Sequence, residues 1–166
     1  MIIDRKNIPG FLIFILIIAL YHYYVINYLE KQFFASLLPF EIVKRPRQKC
    51  NSLTFGLPQY KIPKGCSGFP SGHMEVITLI TLFLHHHRYI TIWYLMLFIV
   101  IVALQRCIFQ YHTVLQVVAG FILGFIYFSL YVPFMKLQLP YTLLFMTMIS
   151  IFWWLTYEVL HFLKKN

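Results

Sequence analysis

Residues 137–157, 113–132 and 11–29 contain no Lys, Arg, Asp or Glu over 21, 20 and 19 positions. An α-helix needs roughly 20 such residues to cross a bilayer core about 30 Å thick. Inside hydrocarbon the backbone has to satisfy its own hydrogen bonds, which leaves helices or a closed β-barrel. Barrel strands alternate apolar and polar side chains, and these runs do not, so helices are expected. Of 166 residues, 60% are hydrophobic and 11% charged, too much apolar surface for a soluble fold of this size to hide. A disordered chain, a coiled coil and an ordinary soluble domain are excluded. The expectation is an all-α integral membrane bundle of about six transmembrane helices, forming one membrane-embedded domain over residues 1–166.

The six expected segments are 11–29, 33–43, 74–84, 89–104, 113–132 and 137–157. The first is too long and too aromatic for a signal peptide. The second is the weakest, because it carries Pro39 and Glu41, and it reads as a short, kinked or re-entrant piece. Trp93, Trp153 and Trp154 suit interfacial belts. Gly120 and Gly124 form a small-xxx-small pair that favours close packing inside the bundle over dimerisation. Fourteen Lys and Arg against five Asp and Glu give a formal net charge of +9. In so apolar a chain that excess suits anionic headgroups of membrane lipids or a phosphorylated substrate. Nucleic acid is a poor partner, because the basic residues form no long soluble face.

Residues 44–72 are the one long polar stretch, with four prolines, four glycines and six Lys or Arg. Long loops in compact domains tend to carry function. Three polar clusters lie at segment ends: Lys44-Arg45-Pro46-Arg47, Gly68-Phe69-Pro70-Ser71-Gly72-His73, and Arg106 with His112. If every segment crosses, all three fall on one side of the membrane. Singly, each has a plain reading: a positive flank, a loop in which Ser71 caps the next helix, and a snorkelling arginine. Together they hold what phosphoryl transfer needs. Guanidinium forks bind phosphate oxygens, and backbone N–H groups at a helix start favour an anion. Two histidines supply a nucleophile and a proton donor at neutral pH. Asp4 is the only Asp in the chain, which argues against a two-metal hydrolase.

The remaining polar residues read less sharply. His85, His86 and His87 diverge by about 100° from one to the next on a helix, so they cannot gather on one metal. They suit a polar membrane-surface turn with Arg88. Glu75 reads as a tuner of His73, as the partner of a loop cation, or as a plain interfacial carboxylate. Cys50 and Cys66 bracket the loop, as a disulfide in an oxidising compartment or as two free thiols.

Arg45-Pro46, Pro70-Ser71-Gly72-His73, and Arg106 followed after five residues by His112 occur in that order at helix ends. They resemble the three signature motifs of the type 2 phosphatidic acid phosphatase superfamily, over about residues 38–124. The resemblance implies a membrane phosphatase that uses no metal or other cofactor and acts on a lipid phosphate or diphosphate. It implies that His112 attacks phosphorus to form a phosphohistidine and that His73 protonates the leaving oxygen. Arg45 and Arg106 would hold the phosphoryl oxygens, and Ser71 and the backbone of Gly72 would help bind substrate.

The chain departs from the family pattern at three places. Leu38 stands where a Lys usually precedes the first Arg by seven residues, and Lys44 and Arg47 are the candidates to cover that charge. Gln105 replaces the usual Ser before Arg106. Gln116 replaces the usual Asp four residues after His112. Its amide oxygen lies one helical turn on and can accept the ring N–H, orienting the imidazole without supplying a charge. The run Tyr111-His112-Thr113-Val114-Leu115-Gln116-Val117 is similar to that of dolichyl-diphosphate phosphatases, which tilts the expected substrate toward a polyprenyl diphosphate.

Two rival readings are a degenerate, non-enzymatic lipid-binding relative and a small transporter or channel. A transporter would scatter its polar residues along the helices, whereas here they gather at helix ends. Six full crossings would put every basic residue except Lys31, Arg88 and Lys136 on the side of the site. The positive-inside rule then favours the cytosol, whereas most members of the superfamily work on the lumenal or extracytoplasmic face.

Overall fold

The computed structural model describes residues 8–46, 66–135 and 139–165. Among them the elements are α1 (Ile8–Tyr21), a π-helical turn (His22–Ile26), α2 (Asn27–Leu37), α3 (Phe40–Val43), α4 (Gly72–His86), α5 (Ile92–Ile108), α6 (Val114–Met135) and α7 (Leu139–Lys165). One isolated antiparallel bridge joins Lys44 to Ser67. Three helical stretches are long and apolar enough to cross a membrane, Gly10–Leu37, Val114–Pro133 and Tyr141–Leu160, and Ile92–Ile108 is a shorter apolar helix. The chain is therefore an all-helical membrane bundle.

The expected second segment, 33–43, is not a separate crossing. Tyr21 and Asn27, at the two ends of the π-turn, keep right-handed helical angles (φ −59°, ψ −47° and φ −62°, ψ −30°), so α1, the π-turn and α2 run on as one rod. Residues 33–37 are the last turns of that rod. The chain breaks at Leu38, which is extended at φ −94° and ψ 152°, as a residue before proline prefers. Glu30 and Lys31 look like the end of a span in the sequence, yet both lie inside the rod. Glu30 is fully buried and accepts the Tyr127 hydroxyl proton. The charge count for six full crossings required 33–43 to form a helix of its own, and residues 33–37 instead continue the first helical stretch.

Apolar burial sets the packing around α4. Phe11, Ile15, Ile18, Leu79, Phe83, Tyr131 and Met146 form the larger cluster. Met74, Leu95, Ile99 and Val117 form the smaller one, next to the site. The two small residues of α6 allow it to press on α4. A Cβ on Gly120 would stand 3.2 Å from the Met74 Cβ, and one on Gly124 would stand 2.8 Å from the Thr78 Cβ. The pair thus serves packing within the bundle.

Several peripheral residues take definite places. Trp93 is exposed, but Trp153 points inward and donates Nε1–H to the Tyr127 hydroxyl at 2.7 Å. Of the histidine run, His85 Nδ1 lies 3.2 Å from the Ile90 carbonyl, while His87 packs on Phe11 with ring centroids 4.8 Å apart. Cys66 is disulfide-bonded and Cys107 is a free thiol, while Cys50 lies outside the described residues.

Candidate active site

The rod delivers the chain to α3, and from there the backbone stitches the first polar cluster to the second. Arg45 N–H donates to the Cys66 carbonyl at 3.1 Å, and Gly68 N–H donates to the Val43 carbonyl at 2.7 Å. The Arg45 side chain adds a bond from Nε to the Ser67 carbonyl at 3.2 Å. Gly68 leaves no room for a side chain, since a Cβ there would sit 2.9 Å from Arg45 Cγ and 3.0 Å from Gln116 Cδ.

The third cluster closes on the same place. The turn after α5 folds back on Arg106, whose carbonyl accepts Tyr111 N–H at 3.0 Å and His112 N–H at 3.2 Å. Gln110 in that turn has φ 56°, in the left-handed region. The Arg106 guanidinium stands over the Tyr111 ring, 5.5 Å from its centroid, and its buried Nε has no hydrogen-bond partner among the described residues. His112 is buried, and its Nδ1 lies 2.9 Å from the Gly68 carbonyl and 3.2 Å from Gln116 Oε1. Both atoms accept hydrogen bonds, so Nδ1 carries the proton and Nε2 keeps its lone pair.

Gln116 holds more than the imidazole. Its oxygen also accepts Thr113 N–H at 3.2 Å, and its Nε2 donates to the carbonyls of Ile42 and Lys44, each at 2.8 Å. Its backbone carbonyl accepts Ser71 N–H at 3.0 Å. This fully buried side chain therefore ties the start of α6 to the 42–44 backbone that leads into Arg45.

The other expected residues fall around this knot. Ser71 precedes α4 with an extended backbone, but its side chain makes no capping bond; its buried hydroxyl has no partner among the described residues. The expected Ser71 cap is absent because Ser71 spends its N–H on Gln116 and turns its hydroxyl inward. Gly72 abuts Asn27, and His73 is exposed at the start of α4, with its ring edge-on to Tyr23 at 5.2 Å. Lys44 pairs with Glu41 at 2.5 Å, so its ammonium serves the rim. Leu38 is half-buried and Gln105 is exposed. Arg47 lies outside the described residues.

Sequence reasoning did not single out Tyr23, Asn27 or Lys31 for this region. Their helical spacing was visible, but nothing local says which face of the rod meets the loop. Glu75 is fully buried, bonds to His22 and accepts Asn27 Nδ2–H at 2.7 Å. It braces the first turn of α4 against the rod.

The electrostatics favour an anion. Burial, then the charges of Arg45 and Lys31, pull His112 from the ordinary 6.5 to about 3, against the opposing bonds to Gly68 and Gln116. Burial also lowers Arg45, with Tyr23 opposing and Arg106 adding to the effect. A base with so low a value is uncharged at neutral pH and is lost as a nucleophile only when the pH falls through that value. In ¹⁵N-histidine NMR of the purified protein, the His112 ring is expected to stay a neutral Nδ1–H tautomer down to about pH 5. A midpoint near 6.5 would contradict this environment.

A protein-family model, the PAP2 superfamily, matches residues 10–140. The chain belongs to that superfamily. No curated protein and no solved structure matches it. Members of the PAP2 superfamily are phosphatases, so membership points to hydrolysis of a phosphoric ester. The match takes in the rod, the 66–73 segment and the α5–α6 junction, the parts that meet at His112.

Proposed function

We propose that this PAP2 protein is a multi-pass membrane phosphatase that hydrolyses a lipid phosphate or diphosphate through a phosphohistidine, without a metal. The observation that carries the reading is the state of His112, with Nδ1–H held by Gly68 and Gln116 and Nε2 left free. Burial, then the charges of Arg106, Lys31 and Arg45, hold His73 at about 4 before substrate binds, and a bound phosphate dianion offsets those charges so that His73 takes up a proton. In the first step Nε2 bonds to phosphorus while the bond to the leaving oxygen breaks and the protonated His73 gives that oxygen its proton. Water then attacks the phosphohistidine, passes a proton to His73, and releases inorganic phosphate with His112 restored. Arg45 and Arg106 neutralise the equatorial oxygens, where a transferring phosphoryl group carries its charge, and Ser71 and the Gly72 backbone add donors. The His112-to-Gln116 pattern favours a polyprenyl diphosphate over phosphatidic acid.

The test is vanadate-sensitive phosphate release by the purified protein, measured on a polyprenyl diphosphate and on phosphatidic acid. Release from the diphosphate is expected to be the faster. Release from neither, nor from any other lipid phosphate, would favour a non-enzymatic lipid-binding relative.

A further inference from the structure

Lys31 lies on the inner face of α2, and its neighbours fix what it faces. Asn27, one turn earlier, abuts Gly72, where an added Cβ would stand 2.7 Å from Asn27 Cγ. Phe34, three residues on, packs edge-on against Phe69 with ring centroids 5.1 Å apart. Positions 27, 31 and 34 share one helix face. Lys31 is therefore directed at the segment between Phe69 and Gly72, which contains the buried, unpartnered Ser71 hydroxyl. The ion pairs among the described residues are His22–Glu75 and Lys44–Glu41, and neither involves Lys31. A half-buried ammonium inside the rod, on the face that meets the unsatisfied Ser71 hydroxyl and close enough to Arg45 to feel its charge, is an arrangement that an arriving anion completes.

We propose that Lys31 is a third phosphate-binding cation of this site, its ammonium meeting the phosphoryl oxygens beside the Ser71 hydroxyl. The assignment rests on the phosphatase reading and deepens it. Lys31 supplies the positive charge missing at Leu38 from two helical turns earlier on the same rod. That explains how the site keeps a full complement of cations while Lys44 is turned to Glu41. The influence of Lys31 on His112 is consistent with this placement. A phosphoryl group held between Lys31 and Arg45 neutralises the two charges that act on the imidazole.

The test uses the purified full chain in detergent, titrated with inorganic phosphate and with orthovanadate, so that anion binding is read apart from turnover. Lys31→Gln and Lys31→Met are expected to raise both dissociation constants about tenfold or more, and Lys31→Arg by no more than about threefold. The thermal midpoint of anion-free Lys31→Gln should stay within a few degrees of wild type. Unchanged anion binding in a folded Lys31→Gln overturns the assignment and leaves the phosphatase reading intact. A wild type that neither binds these anions nor releases phosphate overturns both. Loss of fold in both neutral variants, with Lys31→Arg folded, overturns the assignment in favour of a counter-charge for the nearby Glu30 and Glu75.

Discussion

Phosphate release is expected to fall by about a thousandfold or more in His112→Ala, with the fold retained. The substitution removes the one imidazole in the knot whose free nitrogen has a fixed direction. The Gly68 carbonyl and Gln116 oxygen that held Nδ1–H are left without that donor, at a cost of about 1–2 kcal/mol in stability. The backbone bonds that close the site do not use the ring: Gly68 N–H still reaches Val43, and Ser71 N–H still reaches Gln116. Turnover and thermal midpoint are to be measured together. Turnover within about tenfold of wild type, in a protein that melts normally, would remove His112 as the nucleophile. His112→Asn, which keeps a donor toward Gly68, separates lost chemistry from lost packing if the alanine variant is unstable.

The second large effect is expected at Gln116, where activity and stability should fall together. Gln116→Leu keeps similar bulk but strands the Ile42 and Lys44 carbonyls and Thr113 N–H, all satisfied by this one amide. Leaving that set unpaired should lower stability by about 3 kcal/mol. Turnover should fall by an order of magnitude or more, about 1.4 kcal/mol or above in barrier. The imidazole keeps its stronger bond to Gly68, so the loss acts mainly through the Ile42–Lys44 backbone next to Arg45. Gln116→Glu tests that division, because it preserves the acceptor for His112 and places an oxygen against two carbonyls. Wild-type activity with a lowered melting temperature in Gln116→Glu would mean that orienting the ring is the whole kinetic role. Wild-type turnover and melting in Gln116→Leu would contradict both roles.

Some of this architecture was legible in the chain because it is local. Uncharged runs of about 20 residues announce helices that lipid can surround. The His112-to-Gln116 contact follows from one helical turn, and the structure places the ring N–H 3.2 Å from the amide oxygen. The gathering of Arg45, the 68–73 segment, Arg106 and His112 at one end of the bundle also follows from where they sit along the chain. That outcome does not need 33–43 to be a separate helix, because backbone bonds join the 43–45 segment directly to Cys66 and Gly68.

Tertiary structure alone decided the identity of each buried charge's partner. Glu30 and Lys31 in sequence look like the interruption between two spans. Glu30 instead meets Tyr127, 97 residues away, and Glu75 meets His22 across 53 residues. A charge interrupts a hydrophobic pattern equally whether it ends a helix or lies inside a bundle, and only a distant partner distinguishes the two. The same holds for the Gly68 carbonyl, which selects the His112 tautomer across 44 residues. Helical periodicity is a property of neighbouring residues, so the sequence by itself determined most of the helical stretches and the polar clusters at their ends. Which face of the rod meets the loop, and hence that Lys31 faces the site, depended on side-chain packing between segments far apart in the chain.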